Sequence, residues 1–145
     1  MKSEPDAYSI DDLERDRMEP WDGIRNYQAR NMIRDEMRPG DMAFFYHSSC
    51  AEPAIVGIIK IASQAYPDPT QFDPGSSYHD PKSGEETPRW YLVDVAFERK
   101  LKRPVTLKEL KGEPKLAEFQ LVRRGNRLSV FPVSREHWEL ILALE

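Results

Sequence analysis

Apolar residues change period several times along the chain, and each period marks an element. Ile55–Ser63 is apolar on both faces apart from Lys60, the pattern of a strand in the middle of a sheet. Met42–Tyr46 reads as a neighbouring strand. In Trp90–Glu98, Tyr91, Val93, Val95 and Phe97 fall on one face and Trp90, Leu92 and Ala96 on the other, predicting a third. Between about Asn26 and Met37 the spacing lengthens. Ala29, Met32, Ile33 and Met37 recur at helical intervals, with Asn26 as N-cap and Pro39-Gly40 as the stop.

Shorter elements fill the rest. Ala7–Ile10 reads as a strand, and Ser9 or Asp11 as the cap of an acidic helix around Asp12–Asp16. Pro20–Ile24 is a turn hinged at Gly23. Leu107–Leu110 and Pro114–Glu118 read as single helical turns, Phe119–Val122 and Leu128–Val133 as strands. Ser134 caps a last helix that turns Trp138, Ile141 and Leu142 inward. Residues 67–88 hold five of the twelve prolines without apolar period, and Phe72, Tyr78 and His79 mark them as an ordered loop. The sum is an α+β fold, a small twisted or barrel-like sheet with helices packed around it.

At 145 residues the chain is expected to form one domain, 1–145, with a real core. It is 39% hydrophobic and 32% charged, which excludes a disordered chain. No apolar run approaches the ~20 residues of a membrane span, and MKSEPDAYSI lacks the apolar centre of a signal peptide. Cys50 is the only cysteine, so no internal disulfide framework exists. These features predict a monomer in a reducing, cytoplasmic setting with no membrane partner.

Charge is uneven. Residues 1–22 carry a balance of −5, whereas residues 99–135 carry +8, within a net charge of −4. The basic stretch contains Arg99, Lys100, Lys102 and Arg103, then Arg123, Arg124 and Arg127. A solvated face accounts for such runs by themselves. Beside an aromatic pocket they read as a phosphate track for a short nucleic-acid contact.

The segment Trp21–Asn31, WDGIRNYQARN, supplies that pocket's chemistry: an indole, a phenol, two guanidiniums and three carboxamides beside a glycine turn. Stacking on an aromatic ring is worth roughly 1–3 kcal/mol per base, and Asn can pair with a base edge. Trp21 and Trp90 are the candidate ring-binding walls. Arg25, Asn26 and Asn31 are candidates for the base edge, with Tyr27 one turn from Asn31 on the same helix face. Tyr46, His47 and Ser48 end a strand where polar groups reach a barrel mouth. Arg89 suits a phosphate or an ion pair to Asp73 or Asp80. Enzyme chemistry is poorly supported. Cys50 and His47 have no oxyanion donor beside them, and His47, His79 and His137 lack metal spacing. Asp68, Asp73 and Asp80 fit no calcium loop, and there is no glycine-rich phosphate loop.

The segments KSEP (2–5), WDGIRNYQARN (21–31), GDMAFFYHS (40–48), YPDPTQFDP (66–74), PRWYLVDV (88–95) and RLSVFPV (127–133) occur in this order over nearly the whole chain. In them the chain resembles the EVE domain family of the PUA-like superfamily, related in fold to YTH domains. Asn126 stands where that family usually has Ser, and Ala54 where it often has Gly. The resemblance implies a PUA-like twisted β-barrel with flanking helices and no cofactor. It further implies a non-catalytic module that recognises a modified base in DNA or RNA, such as modified cytosine. It adds Lys2 and Ser3 as base-pocket residues. The alternative is a PUA-like hydrolase of a modified nucleobase, with Lys2, Lys60 and Glu4 as the candidate groups. For the reader, Trp21→Ala is expected to abolish binding without changing the melting temperature.

Overall fold

The computed structural model describes all residues, 1–145. Seven strands form: β1 (Lys2–Ser3), β2 (Met18–Pro20), β3 (Met42–His47), β4 (Ala54–Ile61), β5 (Tyr66–Pro67), β6 (Tyr91–Leu92) and β7 (Asp94–Thr106). Four α-helices accompany them: α1 (Ile10–Asp16), α2 (Tyr27–Asp35), α3 (Leu107–Lys111) and α4 (Arg135–Leu144). Five strands make one sheet in the order β1-β3-β4-β7-β2, while β5 and β6 pair separately. β1 runs parallel to β3 and the other pairings are antiparallel, so the sheet is mixed. β4 lies at its centre, as its two apolar faces predict.

Period-two alternation sends neighbouring residues to different cores. Phe45, Ile59 and Val95 join Leu13, Ala29 and Ile33 of α1 and α2 in one cluster. Phe44, Ile58 and Val105 join Leu110, Phe119 and Ile141 in another. Local signals place the helix starts. Ser9 Oγ accepts from Asp12 N while the Asp12 carboxylate accepts from Ser9 N, a reciprocal cap. Asn26 Oδ1 accepts from Ala29 N at 3.0 Å. α1 also approaches β4 closely: a Cβ on Gly57 would stand 2.7 Å from Ile10 Cδ1.

Three predicted strands need correction. Ala7–Ser9 is a turn, its Ala7 and Tyr8 N–H groups both donating to Glu4 O, and Ile10 opens α1. Phe119–Val122 closes into a 3-10 turn over Gln120–Val122. Leu128–Val133 pairs with no strand; Pro132 lacks an N–H, and the apolar residues serve as anchors, with Val130 in the first core and Phe131 against the second. The third strand, expected over Trp90–Glu98, divides into β6 and β7, and β7 continues to Thr106. Its register against β4 shifts between Ile55 and Gly57, so the basic cluster Arg99–Arg103 belongs to a bulged strand.

Candidate functional site

β1, the turn after it, the segment leaving β2 and the long loop meet around a cleft of about 510 Å³. Trp21, Tyr8 and Tyr78 line it together with the acids Glu4, Glu19 and Asp22. Lys2, Ser3 and Ser129 complete one side. Backbone and hydroxyl ties hold this side. Ser3 Oγ donates to Tyr8 O at 2.5 Å, Ser48 N to Ser3 O at 2.9 Å, and Lys2 N to Ser129 O at 2.9 Å. Trp21 N donates to Val93 O at 2.9 Å, which docks the indole behind the sheet edge. The ring meets Phe45 edge-on at 5.6 Å and is 8% exposed, so it is a core residue that also borders the cleft.

The opposite wall depends on Asp68. Its carboxylate, fully buried, accepts from Gly23 N at 2.9 Å, Thr70 N at 2.8 Å and Arg25 Nη1 at 3.0 Å. Burial pushes its carboxyl up, but the donors from Thr70, Gly23 and Arg25 outweigh that and hold it below the usual range. Arg25 also donates from Nε and Nη2 to Tyr78 O at 3.0 and 2.8 Å, fastening the loop.

The cleft is rich in hydrogen-bond acceptors. Glu4, Glu19 and Asp22 make no ion pair. Burial raises the carboxyls of Glu19 and Asp22, and neighbouring Asp68 raises Asp22 further. Burial, then the hydrogen bond to Asp16, pushes the Tyr8 phenol far up, so it stays protonated. Lys2 Nζ stands 5.7 Å from the Phe131 ring centroid, toward a separate groove. That groove, of about 300 Å³, is lined mostly by apolar side chains such as Met32, Phe44 and Trp138.

Of the expected base contacts, Lys2, Ser3 and Trp21 border the cleft. The pair of indole walls does not form. Trp90 is 5% exposed, stacked on Tyr27 at 4.7 Å, and its Nε1 donates to Asp80 Oδ2 at 2.7 Å. Arg25 fastens the loop, and Asn26 caps α2. Asn31 Oδ1 accepts from Arg30 Nε at 2.9 Å on the helix surface. Tyr46 is buried and faces the apolar groove. His47 Nε2 accepts from Ile10 N at 3.1 Å, so it joins β3 to α1, and burial lowers its pKa. Ser48 holds Ser3 through its backbone. Arg89 forms no ion pair with Asp73 or Asp80, and its Nη1 lies 3.4 Å from Tyr27 Oη. Tyr8, Glu19, Asp22 and Tyr78 escaped the sequence reading. Asp22 lies inside WDGIRNYQARN, which is the one local hint; the others enter only by chain folding.

The basic segment separates into two parts. Arg99 pairs with Glu145 at 2.6 Å, Arg103 with Glu109 at 2.6 Å, and Lys100 with Asp11. Lys102 is exposed and its backbone N donates to Glu145. Arg123, Arg124 and Arg127 are exposed and make no ion pair, and Arg127 lies two residues before Ser129 at the cleft.

Comparison with known proteins agrees with this architecture. The EVE domain matches residues 1–144. Thymocyte nuclear protein 1 of Mus musculus is 45% identical over 165 aligned residues, covering all of this chain and 72% of that protein. A Pseudomonas syringae crystal structure superposes with a TM-score of 0.95 at 53% identity, covering 99% of this chain and 96% of that one. The structure of human THYN1 protein in complex with 5-methylcytosine-containing DNA superposes at 0.92 and 43% identity, covering 99% and 94%. The curled mixed sheet with flanking helices is the expected α+β, PUA-like fold. The cytoplasmic setting expected from composition is overturned, because the vertebrate relatives are named as nuclear proteins; composition carries no cellular address. With its motifs collinear and its fold superposed over nearly every residue, this chain belongs to the EVE domain family.

Proposed function

We propose that the chain is a non-catalytic reader of nucleic acid carrying a modified base, and that one unpaired or everted base of the 5-methylcytosine type enters the cleft bordered by Trp21. The carrying observation is the cleft itself: an indole and two phenols beside the carboxylates Glu19 and Asp22, which form no ion pair. Tyr78, 43% exposed, with Trp21 and Tyr8 bordering the cleft, offers aromatic surface to a planar ring. The carboxylates accept from the exocyclic amine of a cytosine edge, the pairing expected of Asp or Glu with cytosine N4. The relative's complex with 5-methylcytosine-containing DNA supports the same ligand class.

Carboxylates repel phosphate, so the nucleic-acid backbone stays outside the cleft. Arg123, Arg124 and Arg127 leave toward Ser129 with free guanidiniums and are the phosphate contacts of this reading. Everting a paired base costs a few kcal/mol, comparable to one or two stacking contacts, so the affinity is modest and single-stranded sites bind better than duplex.

Fluorescence-polarisation titration of matched oligonucleotides tests it. One carries 5-methylcytosine, the second cytosine and the third thymine, which differs from 5-methylcytosine only along its amine-bearing edge. The expected order is 5-methylcytosine, cytosine, thymine, with thymine roughly tenfold or more weaker. Equal binding of all three overturns the reading.

A further inference from the structure

A column of aromatic rings and guanidiniums runs from the cleft onto α2. Tyr78, which lines the cleft, lies 5.5 Å from the Arg25 guanidinium, and Arg25 lies 5.4 Å from the Trp90 ring. Trp90 stacks on Tyr27 at 4.7 Å, and the Arg30 guanidinium covers Tyr27 at 4.7 Å. The interior members are accounted for by the fold: Arg25 pairs with Asp68, and the Trp90 indole donates to Asp80. The outer members are not. Tyr27 is 48% exposed, and Arg30 and Arg89 make no ion pair.

These two arginines are nonetheless held in place. Arg30 Nη1 donates to Arg89 O at 2.7 Å and its Nε to Asn31 Oδ1 at 2.9 Å, so its plane is fixed over the Tyr27 ring. Arg89 reaches Tyr27 Oη at 3.4 Å. Several surface arginines are neutralised by carboxylates, as in Arg15 with Asp16, Arg34 with Asp35 and Arg103 with Glu109, whereas Arg30 and Arg89, like Arg123, Arg124 and Arg127, are not. Two unneutralised, oriented guanidiniums beside an exposed phenol form a surface suited to nucleotides. Bases stack on guanidinium planes as they do on aromatic rings, and the guanidinium fork matches phosphate oxygens.

We propose that this outer face is a second contact surface, which holds the nucleotide flanking the one in the cleft. Its base stacks on the outer face of the Arg30 guanidinium, which lies over Tyr27, and its phosphate meets Arg89. The strand thus leaves the cleft past Tyr78 and crosses α2, on a different element from Arg123–Arg127. This rests on the base-reading conclusion above and adds the direction in which the ligand extends.

The test compares 5-methyl-2′-deoxycytidine with trinucleotides that carry the modified base at either end, using calorimetry. In the unmodified protein one of the two trinucleotides is expected to bind roughly 5- to 100-fold more tightly than the nucleoside, the gain of one stacked base. Arg30→Gln and Arg89→Gln are expected to remove most of that gain and leave nucleoside affinity unchanged. Arg30→Lys, which keeps charge without the plane, is expected to lose it too. Arg124→Gln is the comparison for the other basic segment. If the gain survives Arg30→Gln and Arg89→Gln, or arises only through Arg124, the second surface is refuted while base reading stands. If neither nucleoside nor trinucleotide binds, the base-reading conclusion itself falls, and this proposal with it.

Discussion

The Tyr78 ring lies directly against the backbone of Gly23. A Cβ added to Gly23 would stand 2.6 Å from Tyr78 Cζ, and the Gly23 φ of +83° is one that L side chains rarely adopt. Both residues line the cleft, so one contact sets the distance between the WDGIRN segment and the loop.

Gly23→Ala therefore disturbs fold and cleft together. The left-handed backbone alone costs about 1–2 kcal/mol, and the methyl displaces Tyr78. A melting-temperature fall of roughly 3–8 °C is expected. Affinity for a 5-methylcytosine oligonucleotide should fall more than unfolding accounts for at a temperature where the variant is folded. Unchanged affinity there would show that Tyr78 contributes nothing to the ligand.

Trp21→Ala, expected from sequence to leave stability unchanged, is instead destabilising. The indole is 8% exposed and packs on Phe45, so its removal costs about 3–5 kcal/mol. Thermal melts should show a large fall. Trp21→Phe, which retains an aromatic core residue with a smaller face, is the cleaner probe: binding should weaken while the melt shifts much less.

Two sets of carboxylates give the pH dependence opposite signs. The Asp68 carboxyl, lowered in the fold, contributes stability that is complete above the ordinary aspartate value of about 3.9 and lost as pH falls through its folded value. Glu19 and Asp22 are raised in the fold. Facing them are Tyr8, Asp16, Asp68 and Arg25. Between their ordinary and raised values the folded chain binds protons that the unfolded chain does not, so these two groups favour folding as pH falls through that window. The same protonation removes acceptors for an amine. Parallel melting and binding titrations should therefore show affinity for 5-methylcytosine falling at higher pH than stability does. Asp68→Asn should shrink the low-pH loss of stability, to which Glu109 and Glu145, both lowered to about 2, also contribute. By leaving Arg25 without its buried partner, it should also cost about 3–5 kcal/mol.

Salt dependence separates the basic residues. Each phosphate contact contributes about 0.7–0.9 to the slope of log affinity against log salt. Arg124→Gln or Arg127→Gln should lower the slope by roughly that amount. Arg103→Gln should not, since Glu109 already holds that guanidinium through two hydrogen bonds of 2.8 and 2.6 Å.

Asn126 carries a repairable defect. Its Oδ1 accepts from Leu128 N at 3.2 Å, but its Nδ2 is buried with no partner. An unsatisfied buried donor costs about 1–3 kcal/mol. A serine hydroxyl can accept the same bond and replaces the fixed amide NH₂ by a single rotatable O–H, so Asn126→Ser should raise the melting temperature by a few degrees.

What the sequence determined by itself is what short range controls. The central place of β4 follows from two apolar faces, and the starts of α1 and α2 follow from Ser9 and Asn26, because strand burial and helix caps depend on residues a few positions apart. The collinear motifs likewise carried the family and its fold. Leu128–Val133 shows the limit of pattern, since alternation records burial and not strand pairing. Tertiary structure alone decided the site. It sealed Trp90 beneath Tyr27 and drew Tyr8, Glu19, Asp22 and Tyr78 into one cleft from three places in the chain. It also divided one basic run into cations neutralised by distant carboxylates, Arg99 by Glu145 and Lys100 by Asp11, and arginines left free. A side chain's role depends on its partners, and those partners lie tens of residues away, where no local periodicity reaches.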